Sequence, residues 1–216
     1  FSTLMVILGL NDFQLKGKAE KAYWPKIKEL LERREVPNSL DELENILLEF
    51  FSKERLPYLK IKRLKKFLSS EISKKLWQSN SEEIEKNFQK IWSEIANVMK
   101  QKKEAKTITF AMKCLGIALL MDGKNNFNFE NIPIPVDYRV KKFTKRLGIK
   151  ISNDDEIRKF WNLVLGSVRN KVNVNIIHLD SLIWQIGTLS KEEIIKYFRE
   201  MNLEDLGKEI AEIVLE

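Results

Sequence analysis

Apolar residues spaced three and four apart run through nearly the whole chain, and that spacing leaves room for little besides helices packed on helices. The pattern covers 1–15, 21–34, 40–52, 57–69, 70–78, 81–100, 106–121, 137–147, 154–169, 179–187, 191–200 and 203–215. Helix-start residues back several of these stretches. Asn38-Ser39 precedes Leu40, Ser79-Asn80-Ser81 precedes Glu82-Glu83, Asn153-Asp154 precedes Glu156, and Ser190 precedes Glu192-Glu193. Pro25, Pro37 and Pro57 fall near helix starts or linkers. No period-two alternation is sustained. The one β-leaning stretch, KVNVNII at 171–177, is short enough to be an extended loop. The expected fold class is all-α.

Composition narrows the function. With 216 residues, 44% of them hydrophobic, the chain can bury one core or the cores of two small lobes. Lys and Arg total 38 against 31 Asp and Glu, a net charge of +7, which favours anionic partners and nucleic acid first. A chain that is 32% charged also fits a lysine- and glutamate-rich thermophilic surface. Cys114 stands alone, which excludes an intramolecular disulfide and any cysteine-ligated cluster, and an intracellular setting is expected. The opening run FSTLMVILGL is too short to span a bilayer and lacks the features of a signal peptide. It begins at Phe1 with no helix-start residue before it, which points to a segment upstream.

Two residues carry the chemistry. Lys106 opens the apolar helix KTITFAMKCLG, and Asp137 ends the proline-spaced turn IPIPVD. A lysine amine attacks electron-poor carbon and forms a Schiff base. A nearby carboxylate stabilises the cationic sugar produced when a glycosidic bond breaks. Lys106, Phe110 and Lys113 share one helix face, opposite Ile108, Ala111, Met112, Leu115 and Leu119. A solvated lysine face would give the same pattern. Against it stand the phenylalanine between the lysines and the position of Lys106 in the first turn, where the helix dipole disfavours a cation. Asp137 also suits the N-cap of DYRVKKFTKRLG, and the two roles are compatible. Residues 121–137 form the longest irregular segment, and Pro133 and Pro135 keep Ile132 and Ile134 extended ahead of the aspartate.

In HLDSLIWQIG, Asp180 and Trp184 lie four apart. Trp184 reads either as core or as an indole plate for an extruded base, and Asp180 as a first-turn acid or as the acceptor that reads that base. His178 fits a structural role. Trp24, after a basic segment, is a further candidate for base stacking. Basic clusters at Lys60-Lys62-Arg63-Lys65-Lys66, Lys100-Lys102-Lys103 and Arg139-Lys141-Lys142-Lys145-Arg146 offer either phosphate contacts or solvated faces.

Taken together, KTITFAMK, IPIPVDYRV and HLDSLIW resemble the archaeal 8-oxoguanine DNA glycosylase (AGOG) group of the helix–hairpin–helix DNA glycosylase superfamily. The likeness runs from Trp24 to about Gly187, with the three motifs in order. It implies two helical lobes within one unit over 1–216, a helix–hairpin–helix at about 85–121, and an active cleft between the lobes. It implies Lys106 as nucleophile and Asp137 as the assisting carboxylate. Phe110, Lys113, Asp180, Trp184 and Trp24 would form the base pocket. Lys102, Lys103, Arg139 and Lys142 would grip phosphates. Gln14 does not align with the glutamine that the family carries in an early helix. The turn KQKKEA before Lys106 lacks the glycine usual in the superfamily, which throws phosphate contact onto Lys102 and Lys103.

The activity so implied is excision of 8-oxoguanine from damaged double- or single-stranded DNA, followed by abasic-site lyase cleavage. No cofactor, metal, membrane or obligate protein partner is expected, and the protein would act as a monomer in a prokaryotic cell. Two other readings stay open: a related glycosylase with another lesion preference, and a helical DNA-binding module without activity.

Overall fold

The computed structural model describes residues 1–151 and 153–215. Among them are fourteen α-helices and no strand, so the fold is all-α. The helices fall into two compact units, Phe1–Phe129 and Glu130–Glu216.

The first unit holds α1 (Ser2–Asn11), α2 (Ala19–Ala22), α3 (Trp24–Glu32), α4 (Leu40–Ser52), α5 (Pro57–Leu68), α6 (Glu71–Gln78), α7 (Ser81–Lys86), α8 (Phe88–Met99) and α9 (Lys106–Met121). Two starts, those of α4 and α7, follow the capping residues read from the sequence. Ser39 accepts from the Glu42 amide, and Asn80 and Glu83 form a capping box. Two expected helices are broken. The stretch 81–100 divides at Asn87, whose side chain donates to the Glu83 carbonyl at 2.8 Å and so competes with the helical ladder. The stretch 21–34 divides at Tyr23, before Pro25 removes an amide donor at the head of α3.

α1 packs along α9 to form the centre of this unit, with Val6, Ile7, Leu8 and Leu10 buried against Ile108, Ala111, Met112 and their neighbours. The approach is close enough to require glycine: a Cβ on Gly9 would lie 2.7 Å from the Ala111 Cα and 3.0 Å from Cys114 Sγ. Backbone cannot give way as a flexible side chain can. Gly9→Ala should therefore destabilise the protein by about 1–3 kcal/mol through overpacking. Thermal unfolding checks this, and an unchanged Tm would mean that the two helices separate freely.

α1 stops at Asn11, short of the expected 1–15, because side chains from α5 take over its last carbonyls. Lys60 Nζ donates to the Asn11 carbonyl at 2.8 Å, and Arg63 Nη2 donates to that of Leu10 at 2.9 Å. Lys60 is fully buried between the rings of Phe13 and Tyr23, and burial pushes its ammonium below the usual lysine range.

The second unit holds α10 (Tyr138–Arg146), α11 (Asp154–Arg169), α12 (Ile176–Ile186), α13 (Lys191–Arg199) and α14 (Glu204–Ile213). Its core includes Trp161 stacked on Phe143 at 6.1 Å, with the indole donating to Thr144 Oγ1 at 2.8 Å. Arg146 is buried and donates to the carbonyls of Leu215 at 3.0 Å and Leu189 at 2.6 Å. No strand forms at 171–177. Asn175 caps α12 instead, which starts three residues earlier than expected.

Candidate active site

In the first unit, α8 and α9 are joined by residues 100–105. The turn does without glycine by placing Lys100 itself in the left-handed region, at φ 54°, a conformation that costs a non-glycine residue of order 1–3 kcal/mol. Trp92 braces the turn. Its indole donates to the Lys103 carbonyl at 2.9 Å, and the Lys103 ammonium lies 4.9 Å from the ring centre. α9 then starts at Lys106 behind Ala105, with no side-chain cap and no acidic residue in its first turn. The positive end of the helix dipole is left open there.

Lys106 is exposed, Phe110 half-buried, and Lys113 only 7% exposed, its ammonium 5.8 Å from the Phe110 ring centre. The shared face is therefore solvated only at its first lysine. Trp24, also in this unit, is half-buried; its indole donates to Asp12 at 3.1 Å and meets Tyr23 edge-on.

In the second unit, Ile132–Val136 is buried, which fixes the turn that leads to Asp137. Asp137 caps α10 and accepts from the Val140 amide at 2.9 Å. The Arg139 guanidinium sits over Trp184, 3.9 Å from the ring centre, and also donates to the Trp184 carbonyl at 2.6 Å. Arg139, which the resemblance assigns to a phosphate, thus also supports the indole. Because α12 begins at Ile176, Asp180 is not in the first turn. It is a buried carboxylate, 3% exposed. His178 is taken up in the cap of α12, its Nδ1 3.2 Å from the Asn175 amide.

The basic clusters divide between interior and surface. Lys60, Arg63 and Arg146 turn inward and hold carbonyls, whereas Lys102 and Lys103 are exposed and Lys142 is half-buried. Lys141 pairs with Asp154 at 2.7 Å. The α5 and hairpin clusters converge. Lys66 is pushed below the usual lysine range by desolvation first, and then by the charges of Lys100, Arg63 and Lys62. A joint patch of this kind suits a phosphate backbone. Neutralising Lys102 and Lys103 should weaken binding to damaged and undamaged duplex alike. It should also flatten the dependence of log K on log salt by roughly one unit for each phosphate that is no longer neutralised. A salt titration with an unchanged slope would assign these lysines to a merely solvated face.

The AGOG family, described as N-glycosylase/DNA lyase, matches residues 1–214. The chain belongs to this family. It is 30% identical over 196 residues to an N-glycosylase/DNA lyase of Methanopyrus kandleri, covering 88% of this chain and 74% of the relative. A Thermococcus kodakarensis N-glycosylase/DNA lyase is 28% identical, with 86% and 67% covered. The fold resembles that of the Pyrobaculum aerophilum AGOG, an 8-oxoguanine DNA glycosylase solved in complex with 8-oxoguanosine. That match has a TM-score of 0.65 at 24% identity and covers 86% of this chain and 71% of that one. Membership makes this AGOG chain an enzyme of DNA repair. Among its described residues, no helix is long and apolar enough to cross a membrane.

Sequence reasoning missed Arg63 as a hub, Lys60 as a helix cap and Arg139 as the support of Trp184. One signal was present. Lys60 falls four residues before Leu64, on the apolar stripe that continues through Phe67 and Leu68, so its side chain had to point inward. Nothing in the spacing singled out Arg139.

Proposed function

We propose that this chain excises 8-oxoguanine from DNA and then cleaves the abasic strand, with Lys106 as nucleophile and Asp137 as the assisting carboxylate. The observation that carries the reading is the placement of Lys106: an exposed amine on the first residue of a mostly buried helix, whose start has no cap and no acid to neutralise it. Family membership supplies the reaction class, and the relative bound to 8-oxoguanosine supplies the base.

The neutral amine uses its lone pair to form a bond to the sugar C1′ as the bond from C1′ to the base breaks. The bonding electrons leave with the base, which takes up a proton. Asp137 lowers the energy of the oxocarbenium-like charge that develops on the sugar and takes up the proton lost from the amine. Opening of the sugar ring gives the Schiff base. Loss of a C2′ proton then expels the 3′ phosphate, and hydrolysis of the imine frees the lysine. A water nucleophile would remove the base without the lyase step. Extrusion of the nucleotide costs a few kcal/mol of unstacking. Phe110, Trp184 and Trp24 offer aromatic faces to offset that cost, and Lys113 and Asp180 offer a donor and an acceptor for the base edge.

Borohydride trapping on duplexes carrying 8-oxoguanine, other damaged bases or none tests the reading. The expected result is a covalent adduct and a β-elimination product on the 8-oxoguanine strand. An adduct with another lesion alone would point to a related glycosylase. No adduct with any lesion would leave a DNA-binding module and overturn the proposal.

A further inference from the structure

We infer that Arg63 is a positioning residue for the lysine nucleophile, acting through Thr107 and Gln101; the inference rests on the reading of Lys106 given above. Arg63 comes from α5, far from the hairpin in sequence, yet it gathers three separate pieces of chain. Its Nε and Nη2 donate to the Leu10 carbonyl at 3.2 and 2.9 Å, at the end of α1. Its Nη1 and Nη2 both reach Gln101 Oε1 at 3.3 Å, in the hairpin. Its Nη2 also reaches Thr107 Oγ1 at 3.3 Å, on the residue next to Lys106. Thr107 in turn donates to Gln101 Oε1 at 3.1 Å, which closes the triangle.

The need for such a brace follows from the local sequence. α9 starts without a side-chain cap, and the hairpin before it turns on a strained Lys100. Trp92 holds the turn at the Lys103 carbonyl, but no side chain caps the first turn of the helix, and an uncapped helix end frays. A guanidinium is suited to the task. Its planar fork offers five donors in fixed directions and stays protonated even when partly buried, whereas a lysine could satisfy only one or two of these acceptors along no fixed plane. The brace joins the α9 start to the α1 end, and α1 is itself locked to α9 further along through Gly9. The Cα of Lys106 is thereby held from both sides while its side chain stays in solvent.

Positioning and folding roles separate in variants that spare Arg63 itself. Thr107→Val keeps the shape of the side chain and removes its hydroxyl, and Thr107→Ser keeps the hydroxyl. For a nucleophile displaced by a fraction of an ångström, single-turnover base release by Thr107→Val should slow about ten- to a hundredfold. Its Kd for the 8-oxoguanine duplex should stay within about twofold, and Thr107→Ser should recover most of the rate. Gln101→Ala should show the same split between rate and binding. Combined with Thr107→Val it should cost far less than the product of the two separate losses, because both remove one triangle. Equal rates for Thr107→Val and the unaltered protein would overturn the inference. So would a rate deficit that follows the loss of Tm and disappears on cooling. Peptide mapping of the borohydride adduct on the unaltered protein is run in parallel. An adduct on Lys106 with a normal Thr107→Val rate sinks the brace alone, whereas an adduct on another lysine sinks the nucleophile assignment and the brace with it.

Discussion

Lys106→Gln should give no borohydride adduct with 8-oxoguanine DNA while binding the same duplex with nearly the affinity of the unaltered protein. Lys106 is exposed and belongs to no buried network, and glutamine is close to lysine in helix propensity. Folding should therefore be unaffected, and any loss can be assigned to chemistry. Without the amine no Schiff base can form, so strand cleavage should vanish. Base release should fall by several orders of magnitude, the usual consequence of removing a nucleophile. Undiminished trapping would move the assignment to another lysine. Lys113 is the nearest candidate in the helix, although at 7% exposure it would have to leave a buried position to react.

The second large effect concerns Asp137, where the structure allows charge and cap to be tested separately. Its carboxylate accepts from the Val140 amide at 2.9 Å. Asparagine can make that same bond and is about as good an N-cap. Asp137→Asn should therefore leave the Tm almost unchanged while slowing single-turnover base release by about a hundred- to a thousandfold, the worth of an electrostatic group aimed at developing charge. Asp137→Ala should lose the same rate and, in addition, about 1 kcal/mol of stability from the missing cap. Near-normal turnover by the asparagine variant would reduce Asp137 to a cap.

Much of this molecule is legible from local sequence because its helices obey local rules. Ser39, Asn80, Asn153 and Ser190 cap where their side chains suggest, and the apolar spacing fixes which face of each helix turns inward. The sequence also places the lysine at the head of α9 and the carboxylate behind a rigid turn. Most of what escapes is set by partners remote in the chain. The breaks at Tyr23 and Asn87 are local and still escape, because the apolar periodicity continues across them. The basic clusters look alike in sequence, yet some members point inward, since a lysine or arginine is drawn to any bare carbonyl at a helix end within reach. Arg63 and Lys60 find theirs at the end of α1, some fifty residues earlier in the chain. The placement of Arg139 over Trp184 likewise depends on two helices meeting, which no spacing rule encodes.

The close seat of α1 on α9 also bears on the mechanics of catalysis. Gly9 leaves no room for even a methyl group between α1 and the Ala111 backbone, so the two helices are seated at close range. That close seating supports the helix that carries Lys106. The exposed side chain of Lys106, a four-carbon arm, is by contrast free to move on that support. If Lys106 is the nucleophile, its reach toward a sugar is then set by the side chain and not by a shift of α9 along α1.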